Sequence, residues 1–347
     1  ATYKEIKGVT VQTRDEDPVE FVGSWSSGGN LNAGRRGIAG AGTQTAALAA
    51  GGGPASVPAS TDQAEEYNGT SWTEVNEINT ARRLFMGMGT QTSAIVTGGY
   101  NPPGATGVTE SYDGTNFTEV ADLNTARYAN AGAGGSNTAA ISFGGAPSSP
   151  TAATEQWDGS SWTEVSDLNT ARSYLSGGGL STAAIAFGGD TGPGTGSAAT
   201  ETWNGSSWTE VSDLNVAAKS QGTFGTSTAM IAAGGSTPSV TANVESWDGS
   251  SWTEIANINT AREGMGSGGT QTDGLVAVGY TTTYVAITES WNGTTWTEVA
   301  DAADGRFELA SDGTSSAMWI AGGDSPPAVN TTEEWSFVHA TKTITTS

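Results

Sequence analysis

The chain has 347 residues, no cysteine, a formal net charge of −23 and a pI of about 4.1. Disulfides and thiolate metal sites are thereby excluded, and the acidity argues against binding to nucleic acid phosphates or anionic membranes, both of which need a basic footprint. No run of 18 apolar residues is present, so membrane insertion is not expected, and glycine (50 residues) with regularly placed tryptophan (12) points to a β-rich repeat rather than a disordered linker.

Residues 1–22 differ in composition from the rest of the chain. Ala1 to Lys7 lacks an apolar signal core, Gly8 to Gln12 reads as a strand, and Thr13 to Pro18 is polar. This arm is either a docking segment, the expected contact to neighbouring proteins, or a strand lying on the side of the main domain. From residue 23 one unit recurs. Its clearest copy runs from Glu155 to Val165, with Trp157-Asp158-Gly159-Ser160-Ser161-Trp162 at its centre. Asp-Gly between β-formers is a strong hairpin signal, because glycine takes the positive φ of a tight turn. The leading glutamates fall at Glu65, Glu110, Glu155, Glu201, Glu245, Glu289 and Glu333, a period of 44 to 46 residues.

Each unit carries four strand signals. The first is glycine-rich, as in Tyr128 to Gly134. The second is a small apolar run ending in a glycine doublet, as in Ala183 to Gly189. The third and fourth are the hairpin arms. Small side chains at a crowded hub and bulky ones at a wide rim predict an all-β fold: a seven-bladed β-propeller of four-stranded antiparallel blades. Between units lies Leu168-Asn169-Thr170-Ala171-Arg172 and its equivalents. The arginine comes ten residues after each fourth-strand aromatic, Trp162 to Arg172 for example, with Ala218 in its place in the fifth copy. Counted back from Arg35, Trp25 is a fourth-strand residue without its own first three strands, and Arg306 to Trp335 supplies three strands without a fourth. The two fragments complement each other. Gly23 to Ser27 is therefore expected to pair with the last blade and close the ring, which removes both exposed sheet edges. The propeller is placed at 23–339, with 340–347 as a C-terminal tail.

Glycine doublet, acidic residue two before an aromatic, tryptophan and then arginine: over residues 23–337 this pattern resembles the kelch repeat. The copies are far more alike than usual kelch units. In that they resemble Thr/Ala/Gly-rich virion proteins of tailed phages, particularly marine ones. This resemblance implies a non-enzymatic virion surface protein, a tail-fibre or capsid-decorating module, contacting other virion proteins through residues 1–22 and a host glycan or receptor through its loops. A secreted cellular adhesin or carbohydrate-binding propeller is the alternative, and a glycoside hydrolase a more distant one.

Residues present in every unit are read as structural. Trp162 packs between blades, and the register of arginine with glutamate, Arg172 and Glu155 among them, suggests blade-to-blade ion pairs, as the kelch resemblance also implies. The copper chemistry of kelch-fold oxidases needs histidine and tyrosine ligands and a cysteine crosslinked to a tyrosine, and His339 is the only histidine. No metal, no cofactor and no Ser-His-Asp set is expected. The hairpin turns use Asp113, Asp158 and Asp248 interchangeably with Asn68, Asn204 and Asn292, which is turn chemistry rather than calcium binding. The units disagree in the loop between the doublet and the next glutamate. Tyr100, Asn101, Pro102, Asp190, Tyr280, Tyr284 and Asp324 in these loops are the candidate partner-binding residues.

Overall fold

The computed structural model describes residues 22–54, 59–192 and 194–338. Seven four-stranded antiparallel sheets form the ring, six of them with their strands in chain order from hub to rim. In blade 3 these are Ala131–Ser136, Ala139–Phe143, Thr154–Trp157 and Trp162–Glu164. Blades 1, 2, 4, 5 and 6 begin at Ala39, Met86, Ser176, Gly222 and Gly266. Blade 7 combines Ala310–Thr314, Ala317–Ala321 and Thr332–Val338 with Val22–Ser27 as its outermost strand. Trp25 stands opposite Trp335 in that pairing, so the ring is closed by joining the two ends of the chain, as the spacing predicts. The strand expected at Gly8 to Gln12, the rest of the 1–21 arm and the tail from 339 lie outside the described residues.

The hub-to-rim gradient has the expected physical form. A Cβ on Gly87 would lie 2.8 Å from the Gly40 carbonyl of the neighbouring blade, so first strands approach too closely for larger residues. The second strands are buried on both faces. At the rim the paired tryptophans of blades 3 to 6 sit with ring centroids 5.3 to 5.5 Å apart, as in Trp291–Trp296 and Trp157–Trp162, and Tyr67–Trp72 and Tyr112–Phe117 take their place in blades 1 and 2. The fourth-strand ring also meets the preceding blade edge-on: Trp208 on Phe143 at 4.9 Å, Trp252 on Phe187 at 4.8 Å.

Hydrogen bonds make each junction specific. The fourth-strand indole N–H of one blade donates to the third-strand threonine hydroxyl of the blade before it. Trp162 reaches Thr109 (3.0 Å), Trp208 reaches Thr154 (3.1 Å), Trp252 reaches Thr200 (3.0 Å), Trp25 reaches Thr288 and Trp72 reaches Thr332 (both 2.8 Å). At the hub-side turns, Gln44, Gln91 and Gln271 donate to backbone carbonyls of the preceding blade. Asn137 does the same to the Tyr112 carbonyl.

The arginine–glutamate register is confirmed, with one correction. Arg35–Glu65, Arg127–Glu155 and Arg172–Glu201 pair at 2.9, 3.0 and 2.8 Å, and Arg82, Arg262 and Arg306 pair with Glu110, Glu289 and Glu333. These pairs are not sheet-to-sheet. Each ties the connector to the sheet that the connector enters. Glu201, for instance, also accepts from the Asn169 backbone and side-chain amides, while Arg172 donates to the Gly188 and Ala199 carbonyls. The reason is that the connector crosses the blade gap in extended form and leaves its amides without ladder partners; a buried carboxylate satisfies them. Burial pulls each of the six guanidinium groups below its usual range, against the raising effect of its glutamate.

Candidate functional site

The connectors and the loops from second to third strand emerge on one face, and the Asp-Gly and Asn-Gly turns on the other. On the turn face one arrangement repeats: the Asp158 carboxylate accepts from Ser160 and Ser161 amides at 2.8 and 2.9 Å, and Asn204 does the same for Ser206 and Ser207. The connector face is where neighbouring blades differ.

Around its axial mouth the chain builds three concentric rings, one residue per blade in each. The outer ring is the residue after the glycine doublet: Gly53, Tyr100, Ala146, Asp190, Ser236, Tyr280 and Asp324. The middle ring is the residue after the connector arginine: Arg36, Arg83, Tyr128, Ser173, Lys219, Glu263 and Phe307. Backbone bridges join outer to middle in every blade. The inner ring lies one residue further along: Gly37, Leu84, Ala129, Tyr174, Ser220, Gly264 and Glu308. All seven of these have φ between 50 and 61°. Five are not glycine, and left-handed backbone there is sparsely populated. Every inner-ring amide but that of Glu308 donates to the inner-ring carbonyl of the preceding blade and so holds this conformation: Gly37 to Glu308 at 2.8 Å, Leu84 to Gly37 at 2.9 Å, and so on to Gly264 with Ser220 at 2.9 Å. Six junctions are bonded in this way. At the seventh, between blades 6 and 7, the Phe307 ring lies against Gly264.

Side chains of the middle ring reach back to the outer ring of the blade before. Lys219 meets Asp190 at 2.9 Å, and Ser236 donates to Glu263 at 2.5 Å. Arg36 sits 3.3 Å from both Asp324 and the inner-ring Glu308. Tyr128 packs edge-on to Tyr100 at 5.5 Å, and Phe307 packs on Tyr280 at 6.2 Å. Burial pushes the Glu308 carboxyl up, Arg36 opposing it and Asp324 adding to it. Burial also acts to raise Asp190, but Lys219 and the Gly192 and Thr195 amides outweigh it and hold the carboxyl below its usual range.

Four of the expected partner-binding residues, Tyr100, Asp190, Tyr280 and Asp324, thus occupy equivalent outer-ring positions. Tyr284 is brought to them from its loop: its hydroxyl donates to Asp324 at 2.9 Å and its ring packs on Tyr280 at 5.4 Å. Asn101 and Pro102 belong to a small outward hairpin, Tyr100–Asn101 with Gly104–Ala105, and Asn101 is exposed. Trp162, Arg172 and Glu155 are buried within the ring. The middle ring is not among the residues that the sequence singles out. Its signal is one position wide: the residue after each connector arginine, or after Ala218 in blade 5, changes from blade to blade with only arginine used twice.

No family model matches this chain, and no curated protein matches it. Among solved structures, that of YjhT superimposes with a TM-score of 0.57, covering 88% of this chain and 96% of that one at 11% identity. At that identity the likeness is one of propeller fold.

Proposed function

We propose that this propeller is a non-catalytic binding module of kelch type on the virion surface of a tailed phage, presenting its connector face to a partner. One observation carries the reading. The recurring tryptophans, connector arginines and leading glutamates are buried, and the recurring exposed side chains, such as the Thr-Glu of each short fourth strand, stay the same from blade to blade, whereas charged and aromatic side chains that change are gathered in three rings at one axial mouth. A surface freed from the repeat while the rest is held to it is what a recognition site on a repeat scaffold requires. The phage assignment rests on the resemblance of the near-identical, Thr/Ala/Gly-rich units to virion proteins, and a head or tail position fits equally. The proposed tether to neighbouring virion proteins, residues 1–22, lies outside the described residues but for Val22. The test is immunogold labelling of particles together with host adsorption by particles carrying Tyr100→Ala, Tyr280→Ala and Tyr284→Ala. Labelled particles with reduced adsorption are expected for a tail module; unlabelled particles would overturn the virion assignment.

Hydrolysis of a glycoside has one observation in its favour. Glu308 and Asp324 share the Arg36 guanidinium at the mouth, and the Glu308 carboxyl is raised, as a general acid's would be. Turnover of a polysaccharide by the native protein, abolished in Glu308→Gln, would replace the binding reading with this one.

A further inference from the structure

Of the nine lysines and arginines among the described residues, eight pair with a carboxylate. The ninth is Arg83, in the middle ring between blades 1 and 2. Its Nε and Nη1 are enclosed and have no hydrogen-bond partner. The Tyr100 ring covers the guanidinium at 5.4 Å. At the equivalent junctions an outer-ring aspartate of the preceding blade answers the cation: Asp324 for Arg36, Asp190 for Lys219. For Arg83 that position is Gly53. A Cβ there would lie 3.1 Å from Arg83 Cδ and 3.3 Å from Nη1, so a side chain at 53 could not bring a carboxylate in without displacing the guanidinium. In a chain with 36 acidic residues against 13 basic ones, this cation alone among those described has no carboxylate within ion-pair reach, Glu308 attracting it only at longer range.

We infer that the blade 1–blade 2 junction is an anion subsite of the mouth, and that it takes the carboxylate or sulfate group of an acidic saccharide. The inference rests on the connector face being the binding surface. Nε and Nη1 are closed off, so either oxyanion would meet the guanidinium at Nη2, and a half-buried, unpaired guanidinium gains from such a charge-assisted bond. Beside it stand Tyr100 and Tyr128, edge to face, offering ring surface and hydroxyls to a sugar. An acidic peptide fits less well. Arg83 and Tyr100 already bond each other's backbone, as do Arg36 and Gly53, so no amides remain for strand-like pairing. The chain's net charge repels anions at long range, so this contact is short-range and the ligand carries few charges.

The experiment measures affinity by titration calorimetry for oligogalacturonate, a sulfated galactan oligosaccharide, their neutral counterparts and a glutamate-rich peptide. The proteins are the native chain, Arg83→Gln and Arg83→Lys. The native chain should bind one or both acidic saccharides, and which of the two tells carboxylate from sulfate. Arg83→Gln should lose about tenfold or more of that affinity with an unchanged melting temperature, and Arg83→Lys, which keeps the charge on a differently shaped head, should recover part of it. Affinity should hold or rise as salt goes from about 0.02 to about 0.3 M, because screening relieves the overall repulsion. Acidic saccharide binding that is indifferent to Arg83→Gln, binding of the peptide alone, or no acidic saccharide binding would overturn the subsite. If the three-tyrosine variant still loses adsorption in those cases, the connector face remains the binding surface.

Discussion

Trp296 offers the sharpest test of the junction chemistry. Its indole N–H is buried without a partner, because the residue that should accept it is Val244 where all other blades but the first have threonine. Val244 and Trp296 pack in one cluster, so the geometry for a bond is in place. Val244→Thr should supply the acceptor. The new hydroxyl would in turn donate to the Ala242 carbonyl, as Thr154 does to Ala152 and Thr200 to Ala198. A buried donor left unmade costs about 1–3 kcal/mol and a made bond contributes about 0.5–1.5 kcal/mol; the buried hydroxyl offsets part of this, leaving a net gain of about 1 kcal/mol. At ~2.1 cal/mol/K of unfolding entropy per residue over about 310 residues, that gain raises the melting temperature by only about 1.5 °C, so chemical denaturation is the better assay. The decisive form is a double-mutant cycle with Trp296→Phe. Without the indole N–H, Val244→Thr should destabilise, since its hydroxyl then lacks the donor. The molecule carries its own version of that corner: Phe117 stands opposite Ala64, and neither has a polar group. Equal effects of Val244→Thr in the two backgrounds would refute the reasoning.

Removing one member of a connector pair should cost far more. Arg172→Ala strands the buried Glu201 carboxylate and should lose about 3–5 kcal/mol in denaturant unfolding, with Glu201→Gln in the same chain returning part of it. Blade 5 shows why only part is lost to the missing cation: Glu245 has no arginine, yet Asn215 and Val216 amides hold it at 2.8 to 2.9 Å. Acid unfolding should track the turn carboxylates. Asp113 and Asp158 are held below the usual range, and Asp248 at about 2, by the amides and serine hydroxyls they accept from. Their stabilisation is complete above the unfolded aspartate pKa and is lost as pH falls through the folded value. Replacing all three by Asn should flatten the loss of stability between about pH 4 and about pH 2 in thermal melts. Glu308 and Asp312, raised by burial, act with the opposite sign: their contribution weakens as pH rises past the ordinary carboxyl range. Deleting residues 22–27 should leave the Thr332–Val338 edge unpaired and produce self-association in light scattering, which the intact chain should not show under the same conditions.

The architecture is legible because its determinants are countable along the chain. The ten-residue ruler from rim aromatic to arginine locates Trp25 as the last blade's missing strand. The doublet rule even places Val278 correctly: it takes φ of 55° where the other blades have glycine, and is fully buried. What stays hidden depends on pairs far apart in sequence. Trp208 and Thr154 are 54 residues apart, and nothing local in either says that they meet. The direction of the ion pairs is hidden for the same reason, since spacing gives register but not which sheet a connector leans on. The middle ring is inconspicuous because it is a single variable position beside a recurring arginine, whereas loops that change length stand out.

The departures from the repeat have an order of their own. Where the rim acceptor is lost at Ala64, the donor is lost with it at Phe117; where the arginine is lost at Ala218, the connector amides carry Glu245 alone. Each of these groups is completed by the neighbour, so a change in one blade is felt at the junction: it is matched at Ala64 and Phe117 and left unmatched at Val244 and Trp296. That also explains where freedom is found. At the connector mouth the backbone rings are bonded through main-chain atoms, which any residue supplies, so the side chains above them can change from blade to blade without unmaking the ring. A scaffold held by backbone at one mouth and by side chains everywhere else concentrates its variability at that mouth, and recognition by this protein is accordingly sought there.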